Sequence, residues 1–217
     1  MANLKVGVLI SGRGSNMQAL IRACADEDFP AEIVTVVSNN PEAAGLGIAG
    51  DAGLPTAVVD HRDFPDRESF EAALDDVLRA AQADFVCLAG FMRILTGWFV
   101  RRWYDRLINI HPSLLPAFKG LHTHERALEA GVRFTGCTVH FVRPEMDSGP
   151  IIVQAAVPVA ADDTPDSLAA RVLAVEHRCF PLALRLIAEG RARVAGDVVT
   201  IVDPPSTGEP LLNPREA

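Results

Sequence analysis

The chain has 217 residues, 49% of them hydrophobic and 22% charged, which is ordinary for a globular protein and enough for one sizeable core. Its formal charge of −8 excludes a generally basic surface and argues against nucleic acid as the main partner. Anionic small molecules stay open, because a helix N-terminus binds phosphate whatever the net charge.

Short β-rich runs alternate with longer stretches of helical spacing. Residues 5–10 read as a buried strand, followed by the loop SGRGSN and a helix over 16–25. A strand at 32–38, a helix at 43–52 and a short strand at 56–59 come next. Phe70, Leu74, Val77 and Leu78 recur at helical spacing within a helix over 67–83, and two further apolar strands span 84–89 and 107–110. Such alternation implies parallel βαβ units in an open, doubly wound, mostly parallel Rossmann-like α/β sheet. After residue 132 the pattern changes. Strands at 134–142 and 151–159 have no helix between them, which predicts an antiparallel C-terminal strand pair. A long C-terminal helix follows to about residue 189, capped by Thr164, with Pro165 at its first position and Pro181 expected to kink or split it. Two short strand-like pieces, 192–194 and 198–201, lead into a proline-rich tail expected to be loosely held. The expected organisation is a single domain over 1–190, with halves 1–110 and 111–190, and a tail over 191–217.

Cys24, Cys87, Cys137 and Cys179 are far apart, with no zinc spacing, and read as structural thiols of a reducing compartment. The N-terminal apolar run is too short for a signal peptide and enters a Gly/Ser loop, and no run reaches a membrane span, so a cytoplasmic location is expected. The loop Ser11-Gly12-Arg13-Gly14-Ser15-Asn16 stands between strand one and helix one. Its glycines permit close backbone approach, and the free N–H groups of the helix start make an anion seat. The alternative is a tight turn with Ser15 or Asn16 as an ordinary cap. It lacks a full GxGxxG and a Walker lysine, so neither a dinucleotide nor ATP is indicated.

Asn109 and His111 sit two apart at the end of an apolar strand that Pro112 terminates, so they project from one face. An amide donor beside a titratable imidazole suits stabilisation of an oxyanion in acyl transfer. A structural histidine at a rigid proline corner is the plainer alternative. Asp147, in PEMDSGP, is first of all turn chemistry; a catalytic part for it requires that loop to fold back beside His111. In Leu88–Leu95 (LAGFMRIL) an apolar stretch with a single Arg follows a strand, and either tucks into the core or walls a slot for a flat aromatic ligand. His122, His124 and His140 lack ligand spacing, which favours a non-metal role.

SGRGSN, LAGFMRIL, INIHPSLLPAFKGLHTHERAL, GCTVHFV and MDSGPII together make the chain resemble the folate-dependent formyltransferases, and among them the glycinamide ribonucleotide formyltransferase family of purine biosynthesis, over about residues 4–190. The resemblance implies transfer of a formyl group from 10-formyltetrahydrofolate, as co-substrate, to the amine of phosphoribosylglycinamide, with no metal, nucleic acid or membrane. The sequence does not fix the oligomeric state, and a homodimer is compatible with it. Carried over by residue, the resemblance implies that Gly14, Ser15 and Asn16 hold the substrate phosphate and that Glu176 meets its ribose hydroxyls. Arg67, Met92, Arg93, Ile94, Leu95 and Asn109 would border the folate, and Asn109, His111 and Asp147 would form the catalytic set. A formyltetrahydrofolate hydrolase would use the same trio but usually carries an N-terminal regulatory domain, for which there is no room before Lys5. A methionyl-tRNA formyltransferase normally adds a basic C-terminal RNA-binding domain. A non-catalytic phosphate-ligand protein would need SGRGSN but not the trio.

Overall fold

The computed structural model describes residues 3–204 and 212–213. Seven strands, β1 (Leu4–Ile10), β2 (Ala31–Ser38), β3 (Thr56–Val58), β4 (Phe85–Leu88), β5 (Leu107–His111), β6 (Phe134–Phe141) and β7 (Ile151–Pro158), form one sheet in the order β3-β2-β1-β4-β5-β6-β7. Neighbours from β3 to β5 run parallel, whereas β6 is antiparallel to both β5 and β7. Parallel strands need crossovers. These are α1 (Ser15–Cys24), α2 (Ala44–Asp51), α3 (Arg67–Ala80) and α4 (Gly97–Arg102), while α5 (Thr123–Glu129) joins β5 to β6. The long α6 (Pro165–Ala188) then leads to a separate antiparallel pair, β8 (Ala192–Ala195) and β9 (Val198–Ile201). The expected doubly wound, mostly parallel α/β sheet is the fold that forms.

Strand alternation divides the core in two. Val6, Val8 and Ile10 of β1 and Cys87 of β4 pack with Met17 and Leu20 of α1 and with Leu168, Val172 and Phe180 of α6. Leu9, Val86 and Leu88 turn to the other face, against Leu74 and Leu78 of α3 and Phe99 and Val100 of α4. Strands buried on both faces read as continuous apolar runs, which is why they were visible in the sequence. The helices α4 and α5 were not, because six and seven residues carry too little periodicity to stand out. Helix α3 stops at Ala80, short of residue 83, and Gln82 at φ 56° turns the chain out of it.

Pro181 does not split α6, which runs unbroken from Thr164, whose side chain and that of Ser167 form a reciprocal cap. An interior proline costs roughly 3 kcal/mol. Phe180, Ala183 and Leu184, all fully buried around it, offset that, since each large apolar side chain contributes roughly 1.5–3 kcal/mol. Cys87, Cys137 and Cys179 are buried, Cys24 is half-buried, and all four are free thiols. Burial pushes the Cys24 thiol up to about 11. Among the described residues no helix is long and apolar enough to cross a membrane. Most of the proline-rich tail, 205–211 and 214–217, lies outside the described residues; Asn213 donates to the carbonyls of Arg133 and Val159 at the ends of β6 and β7.

Candidate active site

The carboxyl ends of β1, β4 and β5 lie side by side, with Leu9 paired to Leu88 and Leu88 to Asn109. The loops leaving these strands therefore share one edge of the sheet, where open α/β sheets bind ligands.

In the first loop Gly14, at φ 73°, caps α1, and no side chain caps the helix start, so Ser15 and Asn16 are not the caps that a plain turn would use. A Cβ on Gly14 would stand 3.0 Å from Gly45 Cα, and Gly45 N–H donates to the Gly12 carbonyl at 3.0 Å, drawing the start of α2 against the loop. The first N–H groups of α1 have no intrahelical partner and are free for an anion. Asn16 Nδ2 donates to Glu176 Oε2 at 2.7 Å, a contact between residues 160 apart in which both side chains are buried. Burial pushes the Glu176 carboxyl up, against the lowering effect of that hydrogen bond. Asn16 Oδ1 is buried without a partner.

In the second loop Met92 and Ile94 are exposed and Leu95 is buried. Arg93 and Arg67, from the start of α3, line one cavity of about 190 Å³ together with His61, Phe64 and Phe70. A larger cavity, about 370 Å³, lies away from the strand ends, among Arg22, Phe29, Pro181 and Arg185 of α1 and α6 and their flanks, and contains none of the expected site residues.

The third group depends on β6. Its antiparallel register sets His140 opposite Asn109 and Thr138 opposite His111. Ile108 and Ile110 belong to the core under α1 and α6, so Asn109 and His111 face the other way. Thr138 accepts from Leu115 N–H at 3.0 Å and donates to the Ser113 carbonyl at 2.7 Å, fixing the turn that follows His111. His111 Nδ1 lies 3.4 Å from Asp147 Oδ2, and its Nε2 lies 3.0 Å from the Phe118 carbonyl. Both ring nitrogens face acceptors, so only the imidazolium donates to both. Asp147 holds φ 49°, a left-handed conformation that aspartate tolerates, and its Oδ2 also accepts Gly120 N–H at 2.8 Å. Where this loop rejoins the sheet, a Cβ on Gly149 would fall 1.7 Å from the Phe141 carbonyl oxygen, so only glycine fits.

His140 is the member that the sequence did not single out. Its Nδ1 donates to the Phe141 carbonyl at 2.9 Å, which leaves Nε2 as an acceptor, 3.4 Å from Asn109 Nδ2 and 3.9 Å from Asp147 Oδ1. Burial pushes its pKa down, in keeping with a neutral ring. The signal in the sequence was an imidazole within a strand that carries no charged side chain. His122, by contrast, is exposed and pairs with Glu125 at 3.5 Å. Among the described residues no group of three or more His, Cys, Asp or Glu is placed to hold a metal.

Residues 4–184 match the model of the formyl transferase family. The chain belongs to that family. It is 45% identical over 191 residues to the phosphoribosylglycinamide formyltransferase of Escherichia coli strain K12, covering 88% of this chain and 90% of that one. It is 53% identical over 190 residues to the trifunctional purine biosynthetic protein adenosine-3 of Bos taurus, but spans only 19% of the length of that protein. A crystal structure of glycinamide ribonucleotide transformylase 1 from Symbiobacterium toebii superposes with a TM-score of 0.90 at 47% identity, covering 93% of this chain and 95% of that one. This formyl transferase domain thus gathers Asn109, His111 and Asp147 around His140, Asn16 with Glu176, and Arg67 with Arg93, as three groups along one sheet edge.

Proposed function

We infer that the chain catalyses transfer of the formyl group of 10-formyltetrahydrofolate to the amine of N1-(5-phosphoribosyl)glycinamide, giving formylglycinamide ribonucleotide and tetrahydrofolate in de novo purine biosynthesis. The observation that carries this reading, given the family, is the cluster of Asn109, His111, His140 and Asp147 on the sheet edge that also carries an anion seat and an apolar loop.

The backbone N–H groups at Gly14, Ser15 and Asn16 receive the phosphate. The Asn16 side chain has a different part. One Nδ2 hydrogen is committed to Glu176, and the orphaned Oδ1 only accepts, so that oxygen suits a hydroxyl rather than a phosphate oxygen. Asn16 and Glu176 together then hold the ribose hydroxyls. Met92, Arg93, Ile94 and Leu95 border the folate, and Arg67 shares the cavity with Arg93.

The substrate amine attacks the formyl carbon, whose oxygen becomes an oxyanion. Asn109 Nδ2 has two hydrogens; the neutral His140 takes one, and the other is left for that oxyanion. His111 supplies the second donor through Nε2. The Phe118 carbonyl holds this hydrogen at 3.0 Å, and a charged oxyanion displaces a neutral carbonyl because charge-assisted hydrogen bonds are roughly twice as strong. Asp147 stabilises the imidazolium and, through a water, helps move the proton from the attacking amine to the leaving folate nitrogen. Holding both substrates end to end supplies the proximity effect.

The test is release of tetrahydrofolate by the purified chain from 10-formyltetrahydrofolate, with and without the ribonucleotide. Release that depends on the ribonucleotide supports the reading. Equal release without it identifies a hydrolase, and no release in either case overturns catalysis on these substrates.

A further inference from the structure

The loop after β4 is tied at both ends by groups outside it. At its end the buried Glu71 of α3 accepts from Thr96 N–H at 2.7 Å and from the Thr96 hydroxyl. At its start the tie is Ser11. Ser11 N–H donates to the Gly90 carbonyl at 3.2 Å, and Ser11 Oγ accepts Met92 N–H at 2.8 Å. The hydroxyl hydrogen goes to Asn39 Oδ1 at 2.5 Å. The Asn39 amide places Nδ2 3.2 Å from His61 Nδ1, which also lies 3.1 Å from the Asn39 backbone carbonyl. Asn40 Nδ2 in turn reaches the Ser11 carbonyl at 3.4 Å. Ser11 is also the first residue of the loop that ends in Gly14, Ser15 and Asn16. One hydroxyl therefore joins the loop of the phosphate seat to the loop of exposed apolar side chains, although β1 and β4 carry them 81 residues apart.

We propose that Ser11 is a positioning residue that sets the spacing between the two substrates by locking these loops to each other through Met92 N–H and Asn39. This rests on the functional reading above. Ser11 touches neither the trio nor Glu176, so its loss leaves each half-site with its own contacts. The relative placement of the halves is what changes, and rates of transfer between two held reactants fall steeply with misplacement, about 100-fold for 1 Å. A residue that merely stabilised the fold would not separate kcat from KM in this way.

The experiment compares the wild type with Ser11→Ala and Ser11→Thr in the two-substrate assay, with amide hydrogen exchange at Met92 followed in each. Ser11→Ala is expected to lower kcat at saturating concentrations of both substrates by roughly 10- to 100-fold, with each KM changed less than about threefold. Met92 N–H should exchange at least about tenfold faster, the effect of losing one hydrogen bond. Ser11→Thr, which keeps the hydroxyl, should restore both. Normal kcat in Ser11→Ala, a loss confined to KM, or unchanged Met92 exchange overturns the positioning role while the functional reading stands. A wild type without ribonucleotide-dependent release overturns the functional reading, and the Ser11 proposal with it.

Discussion

The loop at 11–16 and the cluster around His111 are built in opposite ways. The loop takes its form from six contiguous residues at a strand-to-helix junction, with Gly14 in the left-handed region and the α1 N–H groups behind it. The cluster draws on the end of β5, on His140 of β6 and on the loop carrying Asp147, and no two of its members are neighbours in sequence. A local site binds with backbone groups that tolerate side-chain change. An assembled site depends on each distant segment arriving, so it is the more easily broken and the more specific for chemistry.

The largest effect that sharpens this contrast is expected from His111→Ala and Asp147→Asn. Each should lower kcat at least ~100-fold, the scale of one oxyanion donor or acid–base group, with much smaller changes in KM. Steady-state kinetics on either purified variant checks this, and near-normal turnover would remove the cluster from the chemistry. Ser15→Asp should act in the reverse sense, raising KM for the ribonucleotide about 30-fold by like-charge repulsion worth ~2 kcal/mol. A carboxylate in the first turn of α1 is favourable to the helix, so thermal stability should not fall; an unchanged KM would move the phosphate elsewhere.

His140→Leu tests whether the cluster depends on a member that never meets the substrate. Removing the acceptor of Asn109 should cost about tenfold in kcat, the ~1.4 kcal/mol of one hydrogen bond. Equal kcat for this variant and the wild type would mean that Asn109 needs no orientation from β6. The smallest effect concerns Glu176. Burial raises its folded value above the ordinary 4.5, so between the two values the folded chain keeps a proton that the unfolded chain has released. Stability should therefore fall as pH rises through the window above 4.5, and Glu176→Gln, whose amide oxygen still accepts from Asn16, should flatten that slope while raising KM for the ribonucleotide. Unfolding temperatures of both proteins across this range decide it, and parallel slopes would mean that Glu176 titrates normally.

Much of the fold was legible because strands buried on both faces are continuous apolar runs, and because Thr164-Pro165 starts a helix by local chemistry alone. Gly14 and the Asn109/His111 spacing were legible for the same reason, since backbone freedom and strand alternation act over two or three residues. Asp147 was recognisable only through resemblance, and in bare chemistry it was a turn carboxylate. His140 and Ser11 went unassigned, because what they do is set by partners 31 and 81 residues away.

By itself, then, the sequence determined the strands and the four longer helices, the glycine-rich loop after the first strand, and that an amide and an imidazole share a face. Tertiary structure alone decided that β6 runs antiparallel to β5, bringing His140 to Asn109, that the 143–149 loop returns Asp147 to His111, and that α6 carries Glu176 to Asn16. The physical reason is range. Capping, turns and strand alternation are settled among near neighbours, whereas a buried hydrogen bond between distant segments exists only after the apolar core has chosen which faces meet.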